Sequence, residues 1–177
     1  NAALRAAVDD LATAEATHGP IAGWDVSRVD DMSRLFYQKD TFNEAIGSWD
    51  TSRVTTMQQT FKYAEAFNQP LVWDTSAVTN MNSVFFKASS FNQPGISAWD
   101  VSKVTMMSGT FQNAKAFNSE LAWDTSSVAT MTATFFRATA FNRQLAWDTS
   151  KVRHHQRRRR PRRRRRGPRR HRAGLTT

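Results

Sequence analysis

The segment Trp73-Asp74-Thr75-Ser76-Ala77-Val78-Thr79-Asn80-Met81 decides how this chain folds, because copies of it recur along the sequence at nearly constant spacing. Tryptophans stand at positions 24, 49, 73, 99, 123 and 147, so that successive copies are 25, 24, 26, 24 and 24 residues apart. A fixed period in this range is typical of proteins built from stacked structural repeats. We therefore expect neighbouring copies to bury one another's apolar side chains.

The positions that follow each tryptophan are nearly as regular as the tryptophans themselves. Position +n denotes the residue n places after the tryptophan of its repeat. Phenylalanine occupies +12 and the pair Phe-Asn occupies +18 and +19 in five successive repeats, and all length variation lies after that asparagine. The repeated methionines at +8 are Met32, Met57, Met81, Met107 and Met131.

Each repeat contains one segment with helical spacing and one that favours extended structure. Met81, Phe85 and Ala88 are spaced as residues on one face of a short helix. The Phe-Asn-Gln-Pro-Leu segment before the tryptophan is better suited to a strand, since proline disfavours helix in the residue before it. The sequence thus predicts an α/β repeat solenoid, with one short strand and one short helix in every repeat.

An apolar stripe near the start of the chain predicts a terminal helix. Leu4, Val8 and Leu11 lie on one helical face, and Gly19-Pro20 should end the helix. A stack of repeats needs such a cap to close its core. We expect a capping helix over 1–20, repeats over 21–152 (five full copies and the start of a sixth) and a disordered tail over 153–177.

The repeated pattern Trp-Asp-Thr-Ser-x-Val-Thr-x-Met, followed by Phe, Ala and Phe-Asn-Gln, resembles a known family. It is similar to the BspA-like bacterial surface protein repeats, which include the domain type described as a Mycoplasma protein of unknown function. The lead-in helix and Ile21-Ala22-Gly23-Trp24 resemble the start of algal versions. The resemblance covers about residues 20–152 and implies right-handed, leucine-rich-repeat-like coils with a surface, adhesion or interaction role. It implies an extracellular or cell-surface location and no catalytic residues.

Three repeated polar or aromatic columns invite chemical interpretations. The aspartate at +1 could form a cation ladder, but the pattern favours an Asx-turn that accepts local backbone N–H groups. The serine at +3 is a turn hydroxyl and not a nucleophile, because His18 is the only histidine before residue 154. The asparagine at +19 should form a ladder of hydrogen bonds. The aromatic columns should face inward and not stack on sugars or bases.

Charge is distributed unevenly along the chain. The whole sequence carries a formal charge of +10, yet residues 1–150 hold 11 basic and 15 acidic residues. Residues 151–177 hold 14 Lys and Arg and no acid. The chain has no cysteine, which excludes disulfides, and it has no apolar stretch long enough for a membrane span.

The basic tail interrupts the repeat pattern. His155 and Arg159 stand where the pattern requires methionine and phenylalanine. This break favours a tail that is not native to the array. If the tail is native, it would bind the phosphates of a nucleic acid or the negative charges of another polyanion. The residues that would do so are Arg157, Arg158, Arg159, Arg160, Arg162, Arg163, Arg164, Arg165 and Arg166.

These observations favour a binding function over catalysis. The sequence predicts a non-catalytic repeat scaffold for protein–protein or cell-surface interaction, a fragment of a longer array, without cofactor or metal. The alternative is nucleic-acid or polyanion binding through the tail. We expect a monomer whose protein partner is chosen by variable surface positions such as Gln58, Lys87 and Arg137.

Overall fold

The computed structural model describes residues 2–153. Helix α1 spans Ala2–Asp9 and helix α2 spans Leu11–His18. Two short 3-10 helices span Ile21–Gly23 and Pro94–Ala98. Between residues 2 and 153 there is no strand, and parallel pairing is confined to isolated bridges.

Helices α1 and α2 pack against the first repeat. Arg5 donates to the backbone carbonyl of Ser33, and the ammonium of Lys39 lies 2.9 Å from the carboxylate of Asp9. Val8 is buried in the core of the repeats. Helix α2 ends at Gly19, which has a φ of 76°, as its sequence predicts. The single helix expected over 1–20 is wrong, however, because the chain forms two helices there.

The repeats stack through backbone hydrogen bonds that join equivalent residues. At each of the four interfaces between successive full repeats, the amides at +8, +10, +12 and +14 donate to the carbonyls at +7, +9, +11 and +13 of the next repeat. The Met57 amide lies 2.9 Å from the Asn80 carbonyl, and the Phe61 amide lies 2.9 Å from the Val84 carbonyl. Every second residue of this segment is therefore bonded to the neighbouring repeat.

The predicted helix in each repeat is wrong. Positions +10 and +14 have φ values between 57° and 67° in all five repeats, which is the left-handed region. A right-handed helix cannot pass through such residues. Paired turns, such as the one closed by the Val84 amide on the Met81 carbonyl, replace it. The i, i+4 spacing of methionine and phenylalanine arises from these turns.

The predicted strand before each tryptophan is also wrong, and with it the α/β solenoid class. Pro70 and Pro94 offer no amide to a ladder, and the segment differs in length between repeats. In the third repeat it forms the 3-10 helix Pro94–Ala98. Parallel bridges occur instead at +7, where Thr56 pairs with Asn80 and Asn80 with Met106.

Aromatic columns form the core. The +12 phenylalanines stack with ring centroids 5.2 to 5.6 Å apart from one repeat to the next. The +18 phenylalanines form a second column, in contact with the first inside each repeat. Phe85 and Phe91 are completely buried.

The division into a cap, repeats and a tail stays a prediction, since the nine arginines of 157–166 lie outside the described residues.

Candidate interaction surface

The repeated aspartates at +1 form Asx-turns. Each carboxylate accepts the backbone amide of the serine two residues later, at distances of 2.8 to 3.1 Å. The backbone amide and hydroxyl of Ser76 hold the pKa of Asp74 below its usual value, and the other five aspartates of the column show the same direction. The turn interpretation is confirmed. Within residues 2–153, no group of three or more acidic or histidine side chains could hold a metal ion.

The asparagines at +19 form the ladder that the sequence predicts. The Asn68 side-chain oxygen accepts the backbone amide of Asn92 at 2.9 Å, and the Asn92 oxygen accepts that of Asn118 at 2.8 Å. The same contact joins Asn43 to Asn68 and Asn118 to Asn142. The ladder thus links all five full repeats and occupies the side chains that compose it.

The tryptophans face inward. The Trp73 indole nitrogen donates to the carbonyl of Ile46 at 2.9 Å, and the Trp123 nitrogen donates to Ile96 at 2.8 Å. Successive indoles from Trp49 onward stack with centroids 5.8 to 6.5 Å apart. The four buried tryptophans, Trp49, Trp73, Trp99 and Trp123, are engaged inside the protein and are not available for a ligand, whereas Trp24 and Trp147 at the two ends are partly exposed.

A different set of aromatic side chains lies on the surface, at positions +13 and +14. The Tyr63 ring lies between Tyr37 and Phe86, with centroid distances of 5.9 and 5.4 Å and edge-to-face geometry. All three side chains are partly exposed. Phe136 lies at +13 in the last full repeat and is 53% exposed. Gln112 and Asn113 occupy the two positions in the fourth repeat.

Basic side chains cover these surface rings. The Lys62 ammonium lies 4.8 Å from the centroid of Phe86 and 5.5 Å from that of Tyr63. The Lys87 ammonium lies 5.1 Å from the Tyr63 centroid. Such cation–π contacts contribute about 0.5–1 kcal/mol at exposed sites. We call this set the aromatic–basic ridge; its residues are Arg34, Tyr37, Lys62, Tyr63, Phe86, Lys87, Phe136 and Arg137.

The ridge is free of negative charge in its own segment. Positions +9 to +14 of the five full repeats contain four basic residues and no acidic residue. The ion pairs present in residues 2–153 involve Arg5, Lys39 and Arg143, and none involves a ridge residue. Since residues 1–150 carry more acids than bases, the ridge is a basic surface on a mildly acidic body.

Comparison with protein families assigns this chain. The family described as "Mycoplasma protein of unknown function, DUF285" matches residues 4–95 and 71–158. The chain belongs to this family. The two overlapping matches confirm the resemblance read from the repeated motif, and they establish a repeat protein. No curated protein and no solved structure matches the chain.

Sequence reasoning had missed the aromatic–basic ridge. Lys87 and Arg137 were expected to choose the partner, and both are ridge residues. The aromatic residues of the ridge were not predicted because they alternate between two positions of the repeat: Tyr37 and Phe86 are at +13, and Tyr63 is at +14. Their alternation becomes visible only when both positions are compared across repeats.

Clefts near the ends of the repeats show no arrangement of catalytic groups. His18 lines a cleft of about 370 Å³ with Trp24 and Asp25, and no serine lines that cleft. A second cleft, of about 490 Å³, lies beside Glu120 and Arg143, whose side chains approach to 3.6 Å.

Among residues 2–153, no helix is both long and apolar enough to cross a membrane.

Proposed function

We propose that this chain is a non-catalytic repeat scaffold that binds a protein partner, as in attachment at a cell surface. The observation that carries the proposal is the aromatic–basic ridge. Aromatic side chains and arginine, which the ridge contains, are enriched at protein interaction surfaces. The repeated polar positions support the same proposal, because their hydrogen bonds are structural: the aspartates close turns within each repeat, and the asparagines and tryptophans bond to neighbouring repeats.

The rigidity of the backbone beneath the ridge also supports binding. The amides at +12 and +14 of the ridge segment donate to the next repeat, as in the 2.9 Å contact from the Tyr63 amide to the Phe86 carbonyl. A partner would therefore meet side chains on a fixed backbone, which lowers the entropy lost on association.

A binding comparison between two matched variants tests the proposal. The labelled full-length chain is applied to an array of purified extracellular and surface proteins at 150 mM salt. One variant carries Tyr63→Ser, Phe86→Ser and Lys87→Ser. The control carries Thr55→Ser, Thr79→Ser and Val72→Ser, all on other exposed positions. We expect the ridge variant alone to lose the partners of the natural chain, and equal retention by both variants would contradict the proposal.

A second candidate function rests on the sequence of the tail, in which the nine arginines of 157–166 would bind a polyanion. Such binding weakens steeply with salt, because counterions are released when phosphates are neutralised. The test compares the natural chain with a tail-neutral variant, in which all thirteen arginines of residues 153–177 are replaced by glutamine. If an oligonucleotide binds both chains equally at 150 mM salt, the tail is not the binding site.

A further inference from the structure

We infer that the aromatic–basic ridge binds an acidic polypeptide segment that also carries apolar side chains. The inference rests on the proposed function and specifies the chemistry of the partner. The charge of the ridge gives the first argument. Its cations face no acidic side chain at positions +9 to +14, so a negatively charged partner would meet an uncompensated row of positive charge.

The arrangement of the cations gives the second argument. The Lys62 and Lys87 ammonium groups are held over aromatic rings at 4.8 to 5.5 Å. The Arg34 guanidinium donates to the Gln59 side-chain oxygen at 2.8 Å. Side chains that are already ordered lose less entropy when they bind carboxylates. Arg34, Lys62 and Lys87 come from three successive repeats, so this part of the row runs along the stack and fits an extended segment; Arg137 lies beyond the fourth repeat, which contributes no cation.

The aromatic rings distinguish a polypeptide from a polysaccharide or a nucleic acid. Sugars and bases bind aromatic side chains through the ring faces. Here cations lie over the faces of Tyr63 and Phe86, and the rings contact each other edge to face. Phe86 and Phe136 have no polar atom, so the surface they expose fits aliphatic or aromatic side chains.

Amide side chains beside the ridge fit the backbone of such a segment. Gln58, Gln112 and Asn113 are all half-buried and lie at positions +9, +13 or +14. Carboxamides both donate and accept hydrogen bonds, as peptide groups do. The combination of cations, partly exposed hydrocarbon rings and carboxamides therefore matches an acidic peptide in which apolar residues are interspersed.

Direct binding of defined probes tests the inference in the full-length, tail-neutral chain. The probes are a peptide of alternating glutamate and leucine, an oligoglutamate of equal length, heparin and oligothymidylate. We expect the alternating peptide to bind most tightly at 150 mM salt. Tighter binding of heparin or oligothymidylate at the ridge would overturn the inference, and so would equal binding of oligoglutamate.

Charge-reversal variants locate the site. Lys62→Glu with Lys87→Glu should weaken binding of the alternating peptide at least about tenfold. The control Arg53→Glu with Lys103→Glu has the same change of net charge on exposed turn residues, and it should leave binding within about twofold. Equal weakening by the two pairs would overturn the inference. If the variant with Lys62→Glu and Lys87→Glu does not fold, the variant with Lys62→Gln and Lys87→Gln is used in its place.

The apolar component has its own variant. Phe86→Ser should weaken binding of the alternating peptide and leave binding of oligoglutamate unchanged. Unchanged binding of both probes would show that the ridge recognises charge alone and would overturn the inference. Failure of this inference can be distinguished from failure of the proposed function. If the ridge variant loses its partners on the protein array but the natural chain does not bind the alternating peptide, the proposed scaffold function stands and the acidic segment is rejected as the partner.

Discussion

Among residues 2–153, nine residues other than glycine hold a left-handed backbone conformation, two in each full repeat except the fourth, where Gly109 occupies one of the positions. An L-residue loses about 1–2 kcal/mol in this region compared with glycine. For seven of the nine, the amide donates to the next repeat and offsets this cost; Ala133 and Arg137 lie in the last full repeat and have no such bond within residues 2–153. Gly109 relieves the cost, and a Cβ there would meet the Ser83 hydroxyl oxygen at 3.2 Å.

Ala133 is therefore a site where glycine should stabilise the protein. It is exposed and has a φ of 57°. Relief of the left-handed strain should exceed the greater entropy of glycine in the unfolded chain, so Ala133→Gly should raise the free energy of unfolding by about 0.5–1 kcal/mol. Urea denaturation measures the change. Ala140→Gly, in the same repeat at ordinary φ, should lower stability, and a loss in both variants would contradict this account.

The Asx-turns predict how stability depends on pH. The backbone amide of Ser76, followed by its hydroxyl, lowers the pKa of Asp74, while Asp100 and Asp50 oppose this shift. A carboxylate with a lowered pKa in the folded state stabilises the protein above its unfolded pKa of about 3.9 and loses that contribution as the pH falls through the folded pKa. The stability of the natural chain should fall below about pH 4.

Asp74→Asn separates the turn from its charge. Asparagine accepts the same backbone amide, so the variant should match the natural chain near neutral pH and lose less stability below about pH 4. Asp74→Ala removes the acceptor and should be less stable at every pH. Urea midpoints measured across this range give both comparisons. An unchanged acid slope in Asp74→Asn would show that this carboxylate does not contribute.

At the scale of the structural element, the asparagine ladder gives each interface one side-chain-to-backbone hydrogen bond. Asn68→Ala removes the acceptor of the Asn92 amide and should cost about 0.5–1.5 kcal/mol of unfolding free energy. Asn142→Ala is the matched control, because the Asn142 side chain accepts no hydrogen bond from residues 2–153. Chemical denaturation of both variants measures their free energies of unfolding. An equal loss in the two variants would show that the hydrogen bond between repeats does not contribute.

The sequence was sufficient for the period, the inward columns, the Asx-turns and the ladder, because each depends on a residue type that recurs at a fixed position. The backbone path between +8 and +14 was not predictable in the same way. Met81 and Phe85 have helical spacing, and Ser83 or Lys87 gives no sign of a positive φ; only Gly109 hints at one. The ridge escaped prediction because Tyr63 and Phe86 meet across repeats from different positions.

At the scale of the whole molecule, stability should depend on where in the stack a core residue lies. Each repeat contacts only its neighbours, so the free energy of unfolding is approximately a sum of contributions from the repeats and from the interfaces between them. Phe85 is fully buried and stacks on Phe61 and Phe111, at 5.5 and 5.6 Å. Phe135 occupies the same position in the last full repeat and is half-buried, with Phe111 as its neighbour in the column.

The same substitution should therefore have unequal effects at these two sites. Phe85→Ala should cost about 3–5 kcal/mol, as expected for a completely buried phenylalanine. Phe135→Ala should cost at least about 1 kcal/mol less, since part of its surface already contacts water. Phe136→Ala, at an exposed ring, should stay within about 0.5 kcal/mol. Urea unfolding followed by tryptophan fluorescence measures all three, and equal costs for Phe85 and Phe135 would contradict additive interfaces.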